Sequence, residues 1–267
     1  MKEFQTAAFR HFKVFVGELT TYAAGSYVSV SEVAKTLENS HGEDGWRSIS
    51  EAHSIHIQGL KSEALIKSVT RMGIVCAYSG FDAFLFALKK QNKLLNGISW
   101  DKHNGDTIRD ACLRNLVSPN TRNTIDRIKA DITCMEYYRK ARNHFVHPEQ
   151  CIDDKAFEYY KNNREELDEV RSKYKMQTSP NSIDDLSFHD VKLIARVALT
   201  VSKTLDNLLD PGDQRLSELV PKKVYKGSKS ESRNTNGIIG FLRTEYSIGV
   251  DRSKDIAKMI LAHKLIG

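Results

Sequence analysis

The chain has 267 residues, of which 40% are hydrophobic and 28% are charged, a balance that allows a buried core. Its five prolines leave long stretches of helix-forming residues uninterrupted, which predicts an all-α fold. The four cysteines are far apart and form no CxxC pair, which argues against a zinc ribbon or a redox motif. The N-terminus lacks the pattern of a signal peptide. We therefore expect a cytoplasmic protein that needs no metal ion and no cofactor.

The excess positive charge is confined to the C-terminal part of the chain. Residues 220–267 hold ten cations and four anions, so they carry the whole net charge of +6. A basic appendage on a neutral body favours contact with a polyanion such as RNA. Lys222, Lys223 and Arg233 are the candidate RNA-binding residues there. The alternative is a basic surface that serves only solubility.

The first part of the chain, residues 1–49, is predicted to be an N-terminal helical extension. Apolar residues at helical spacing predict a helix over residues 4–22, which Gly25 is expected to end. A short second helix is expected over residues 31–37, and the polar stretch 39–45 is typical of a loop.

A helical bundle is predicted over residues 50–212. Its first long helix contains the apolar run Met72–Leu88, with interruptions expected near Gly59 and Gly73. Because glycines and one charged residue break this run, we interpret it as a buried core helix and not as a membrane span.

The rest of the bundle follows the same helical spacing. A helix is expected over residues 106–116, and an apolar stripe predicts another from residue 121 to the proline at position 148. Ser187 and Asp190 are typical of a capping box that starts a further helix. The last part, residues 213–267, is predicted to be a basic linker over residues 222–236 followed by a small helical unit.

Two arginines interrupt the apolar face of the helix that starts at residue 121. Steps of three and four residues place Arg139 and Arg142 on the face that should pack against a neighbour. Burying an unpaired guanidinium is costly, so a carboxylate, a partner surface or a phosphate is expected opposite this face. Asp82, the only charged residue of the Met72–Leu88 run, is the predicted carboxylate partner of one of these arginines.

His147 and Asn143 complete the candidate site. A regular helix would separate Arg142 from His147 by about 140° around the axis, but arginine is long and Pro148 disturbs the helix at His147. Asn143 lies four residues before His147, so it can orient the imidazole or hold a phosphate oxygen. An imidazole and a fixed cation suffice to cleave RNA, because the 2′-hydroxyl of the substrate is the nucleophile. The predicted products carry a 2′,3′-cyclic phosphate and a 5′-hydroxyl.

The sequence Arg142-Asn143-x-x-x-His147, near a helix end, resembles the Arg-x4–6-His motif of HEPN domains. The apolar helix around Asp82 is similar to an earlier helix of that family, and the resemblance covers about residues 50–210. It implies a HEPN-like helical bundle that forms a homodimer, with two Arg/His pairs lining one cleft.

The resemblance also implies an activity, that of a metal-independent endoribonuclease from a toxin–antitoxin or antiviral defence system. On this interpretation Arg142, His147 and Asn143 are the catalytic candidates, with Asp82 beside them. Arg139 and His144, on the same helix, are candidate RNA contacts.

One position departs from the family pattern, because HEPN toxins silenced by a nucleotidyltransferase antitoxin have a tyrosine where this chain has Glu149. An antitoxin or another defence-system protein is still a candidate partner. Two other functions remain open. The first is a non-catalytic HEPN-type module that binds nucleic acid, a nucleotide or a protein, and the second is a transcriptional regulator that uses the C-terminal part.

Overall fold

The computed structural model describes residues 4–40, 45–57, 59–101, 103–147, 155–225 and 230–264. This part of the chain forms thirteen α-helices and a short 3₁₀ helix and contains no strand, which confirms the all-α prediction. The helices are α1 Ala7–Ser40, α2 Gly45–Ala52, α3 Ser62–Asn96, α4 Ile108–Leu116, α5 Arg122–Asp126, α6 Lys129–Val146, α7 Lys155–Asn162, α8 Arg164–Lys173, the 3₁₀ helix Ile183–Asp185, α9 Phe188–Asn207, α10 Gly212–Leu219, α11 Lys222–Tyr225, α12 Glu231–Tyr246 and α13 Val250–Lys264.

Contacts divide the chain into two compact units. The first unit consists of Met1–Lys13, Phe81–Arg127 and Val201–Gly267, and the second consists of Val14–Gly80 and Ile128–Thr200. Helices α1, α3 and α9 contribute residues to both units. This grouping differs from the three consecutive segments expected from the sequence, because segments far apart in the chain pack together.

Helix α1 continues without a break through Gly25 to Ser40, so the predicted end at Gly25 is wrong. A glycine inside a helix costs only about 1 kcal/mol, which packing can offset. Such packing lies beyond the glycine, where the ring of Tyr27 stacks on Phe188 with centroids 5.0 Å apart and Leu37 is buried.

Helix α3 begins at Ser62, after a break that includes Gly59, as predicted, but it is not interrupted at Gly73. A Cβ atom at Gly73 would lie 2.9 Å from both Cγ atoms of Val191 on α9. The glycine therefore permits a close approach of two helices within the second unit.

Among the described residues, α3 is the one helix long and apolar enough to meet the composition of a membrane span. The relevant window has a mean hydropathy of 1.3, and 44% of it is buried within the protein. Ile74, Tyr78, Phe81 and Leu85 are all buried, which is the pattern of a core helix.

The first unit anchors the N-terminal residues on helices from the C-terminal part of the chain. The carboxylate of Asp206 accepts hydrogen bonds from the backbone N–H and the hydroxyl of Thr6, at 3.0 and 2.6 Å. The backbone N–H of Gln5 donates to the carbonyl of Tyr246, and Phe4 stacks on the ring of Tyr246.

Most of the predicted linker, residues 222–236, is helical, so that prediction is wrong for the residues described there. The start of α12 is capped by the hydroxyl of Ser230, and Asn234, Ile238 and Leu242 form a buried stripe at intervals of four. This stripe packs the helix in spite of its polar composition. The start of α13 is held by Arg252, whose guanidinium pairs with two aspartates, Asp210 and Asp213.

Candidate active site at the end of α6

The candidate residues lie in the last turn of α6, and neighbouring elements of the second unit hold that helix in place. Asp190 accepts hydrogen bonds from the Tyr138 hydroxyl, from the backbone and side chain of Asn181, and from the backbone and side chain of Ser187. Burial, together with the nearby charge of Asp190, raises the pKa of the Tyr138 hydroxyl, so this group stays a donor. The bond from the Ser187 N–H also confirms half of the predicted capping box.

The predicted apolar stripe Ile125, Ile128, Ile132 and Met135 is confirmed in part, since Ile128 and Met135 are buried and Ile125 and Ile132 are half-buried. The fully buried positions of α6 also include Cys134, Tyr137, Tyr138 and Ala141. The helix also starts at Lys129 and not near residue 121, because α5 is a separate short helix. Arg142 follows the buried Tyr138 by four residues, so it lies on the same side of α6 as the core.

Arg142 is half-buried, and its guanidinium is only partly satisfied. The Nη1 group donates a hydrogen bond of 2.9 Å to Oδ1 of Asn143. The Nε atom is buried and has no hydrogen-bond partner among the described residues. A buried donor without a partner is destabilising, and an external oxygen atom would relieve that cost.

Asn143 connects Arg142 to His147. Its side-chain oxygen accepts from Arg142, and its backbone carbonyl accepts the N–H of His147 at 2.9 Å. A phosphate oxygen is an acceptor, so of the two polar groups of the Asn143 side chain only Nδ2 can hold it.

His147 is exposed and follows the last helical residue, with φ −127° and ψ 63°. The predicted end of the helix at this point is therefore confirmed. Pro148 and Glu149, on which two parts of the sequence analysis depend, lie outside the described residues.

Arg139 has a carboxylate partner on its own helix. Its Nε and Nη2 groups donate to the two carboxylate oxygens of Glu136, both at 2.7 Å, and Lys140 lies 3.6 Å from the same carboxylate. Sequence reasoning missed Glu136, although its spacing of three residues from Arg139 was a readable signal. The pair makes Arg139 a less available RNA contact than predicted.

Asp82 is half-buried on α3 and belongs to the first unit, whereas Arg142 belongs to the second. The pairing between them stays a prediction. Lys222 and Lys223 on α11 and Arg233 on α12 are exposed, and these two helices contact each other in the first unit. Their role in RNA binding also stays a prediction.

A cavity of about 410 Å³ adjoins the end of α6 in the second unit. We call it the α3/α6 pocket, and its lining includes Arg71, Met72 and Val75 of α3 and His144, Phe145 and Val146 of α6. Sequence reasoning singled out only His144 among these residues. Nothing in the sequence indicated that the other five line a pocket, since the two helices are about seventy residues apart in the chain.

In the part of the chain that the structure describes, no group of three His, Cys, Asp or Glu side chains is placed to hold a metal ion. Comparison of the chain with protein-family models, with curated proteins and with solved structures finds no match. The chemistry of the residues at the end of α6 is therefore the basis for the functional proposal.

Proposed function

We propose that the chain is a metal-independent endoribonuclease with a HEPN-like bundle, and that it acts as a homodimer in a toxin or antiviral defence system. The single observation that carries the proposal is the state of Arg142, a half-buried guanidinium with a buried Nε that no described residue satisfies. A phosphate oxygen supplies the charge and the acceptor that this group lacks. The motif Arg142-Asn143-x-x-x-His147 gives the family resemblance.

In the proposed reaction the 2′-hydroxyl oxygen of the substrate attacks the adjacent phosphorus atom, and the bond from phosphorus to the 5′-oxygen breaks. His147 accepts the proton of the 2′-hydroxyl, and the leaving 5′-oxygen gains a proton from the second Arg/His pair of the dimer or from water. Arg142 and the Nδ2 group of Asn143 stabilise the charge that develops on the phosphate oxygens. The exposed cations Lys222, Lys223 and Arg233 are proposed to contact the RNA backbone further along the strand.

A cleavage assay on labelled single-stranded RNA, with a chelator present, tests this proposal. We expect the wild type to leave 2′,3′-cyclic phosphate ends and to spare DNA of the same sequence. The variant His147→Ala should cleave about 10²–10⁴ times more slowly, because it lacks the group that moves the proton. The matched control is His56→Ala, which removes another exposed histidine of the second unit.

Equal cleavage by the wild type and His147→Ala would rule out the proposed chemistry. Binding of RNA without cleavage by the wild type would favour the non-catalytic module instead. Sedimentation of the full chain tests the proposed homodimer.

A further inference from the structure

The α3/α6 pocket is large enough for a ligand of its own. Its volume of about 410 Å³ lies within the range of small-molecule sites, roughly 300–1,000 Å³. All its lining residues belong to the second unit and none is part of the Arg142, Asn143 and His147 set.

The walls of the pocket are mainly apolar and include one fixed aromatic ring. Phe145 packs against the core formed by Ala141, Ala156 and Ile183, so its position is set by the fold. Met72 and Val75 line the α3 side. Aromatic and thioether side chains are suited to stacking against the flat face of a nucleobase.

The charge of the pocket favours an anion. The guanidinium of Arg71 lies 5.1 Å from the centroid of the Phe145 ring, and no carboxylate of the described residues pairs with it. His144 contributes a second nitrogen-bearing side chain, and the described residues of the lining include no Asp or Glu. A flat apolar wall beside an arginine that pairs with no described carboxylate is the arrangement that a base and its phosphate require.

The pocket residues of α6 are also close in sequence to the candidate catalytic residues on the same helix. Phe145 and Val146 follow Arg142 by three and four residues, so all three share one face of α6. These pocket residues of α6 and Arg142 therefore lie on the same side of that helix.

We propose that the α3/α6 pocket binds one nucleotide of single-stranded RNA, with the base against Phe145 and Met72 and a phosphate on Arg71. This inference rests on the proposed function for the identity of the strand. It assigns to the pocket the base preference of the cleavage reaction, a role that Arg71, Met72 and Phe145 perform without taking part in the chemistry.

The test measures binding separately from cleavage. The probe is a fluorescent single-stranded RNA of about eight nucleotides with 2′-O-methyl groups throughout, which lacks the nucleophile, and anisotropy reports its affinity. The variant Met72→Trp should fill the pocket from its exposed side and weaken binding about tenfold. Its control is Leu94→Trp, which alters another exposed apolar residue of the same helix.

An abasic scan identifies the base that enters the pocket. At one position of the probe, removal of the base should weaken binding to the wild type and leave binding to Met72→Trp unchanged. Arg71→Ala should weaken binding several-fold for every sequence, while Arg122→Ala, a control at an exposed arginine, should not. Thermal unfolding of each variant shows whether the fold is retained.

The proposal is overturned if Met72→Trp and Leu94→Trp bind the probe equally. It is also overturned if every abasic position weakens binding to the wild type and to Met72→Trp by the same factor. Failure of the catalytic proposal has a different signature. In that case His147→Ala leaves cleavage of unmodified RNA unchanged, and the binding measurements with the modified probe are unaffected.

Discussion

Asp190 and Arg142 show two ways in which the second unit holds a charged group away from water. Asp190 is fully buried and accepts five hydrogen bonds from Tyr138, Asn181 and Ser187. Arg142 is half-buried, bonds to Asn143, and has a buried Nε without a partner in the described chain. A satisfied charge fixes the local structure, whereas an unsatisfied one at a helix end suits a ligand.

The largest effect on stability is expected from removal of the satisfied group. Asp190→Ala leaves five donors without their acceptor, and we expect the free energy of unfolding to fall by about 3–5 kcal/mol. Tyr138→Phe removes only one of these bonds and should cost about 1 kcal/mol. Urea denaturation measures both. A loss of only about 1 kcal/mol in Asp190→Ala, the same as in Tyr138→Phe, would mean that the other four bonds contribute nothing to stability.

Asp206, in the first unit, is a buried carboxylate whose hydrogen bonds from described residues come from Thr6. Burial raises its pKa to about 6 from 3.8, although the bonds from Thr6 oppose the shift. Between about pH 4 and pH 6 the folded protein retains a proton that the unfolded chain releases. The contribution of Asp206 to stability is therefore complete below pH 4 and is lost as the pH rises through 6, by about 3 kcal/mol.

The measurement compares the free energy of unfolding of the wild type and Asp206→Asn from pH 4 to pH 7. The difference between the two proteins should shift in favour of the variant as the pH rises. A difference that is independent of pH would contradict a raised pKa at Asp206.

Removal of the unsatisfied group should separate stability from activity. Arg142→Met keeps the aliphatic stem and removes the buried donor, so we expect the free energy of unfolding to stay constant or to rise by up to about 1 kcal/mol. Cleavage of RNA should fall by about 10²-fold or more. A clear loss of stability would assign Arg142 to the structure and not to a ligand.

The smallest effect on the free energy of unfolding is expected at the end of α12. Unlike the end of α6, this helix end is assigned no ligand. Ser247 has a left-handed backbone, with φ 53° and ψ 30°, and its N–H bonds to the carbonyls of Leu242 and Arg243. Glycine adopts this conformation without strain, so Ser247→Gly should raise the free energy of unfolding by about 0.5–1 kcal/mol. Thermal unfolding measures the gain, and Ser247→Ala, which cannot relieve the strain, should show none.

The sequence predicts the helices well where one apolar stripe decides the structure. The helix α4 and the start of α9 lie close to their predicted positions, since capping residues and spacing agree there. The predicted breaks at Gly25 and Gly73 are wrong because distant residues stabilise the helix at those points. Phe188 packs beyond the first glycine and Val191 against the second, and neither contact is visible in a local pattern.

The candidate site shows the same limit. Arg142, Asn143 and His147 are adjacent in sequence, so their proximity on one helix end could be predicted. The pairing of Arg139 with Glu136 was missed because a carboxylate partner was sought on another helix and not one turn away on α6. Arg71 could not be predicted, since its contact with Phe145 joins residues 74 positions apart.

The attachment of Thr6 to Asp206 and of Gln5 to Tyr246 has a consequence for biosynthesis. These bonds form only after the ribosome has released residues about 200 positions later in the chain. At a translation rate of about 5–20 residues per second, the ring of Phe4 waits on the order of ten seconds or more for its contact with Tyr246. During most of the synthesis the N-terminal segment therefore exposes apolar surface, which favours aggregation until the residues near 206 and 246 have emerged.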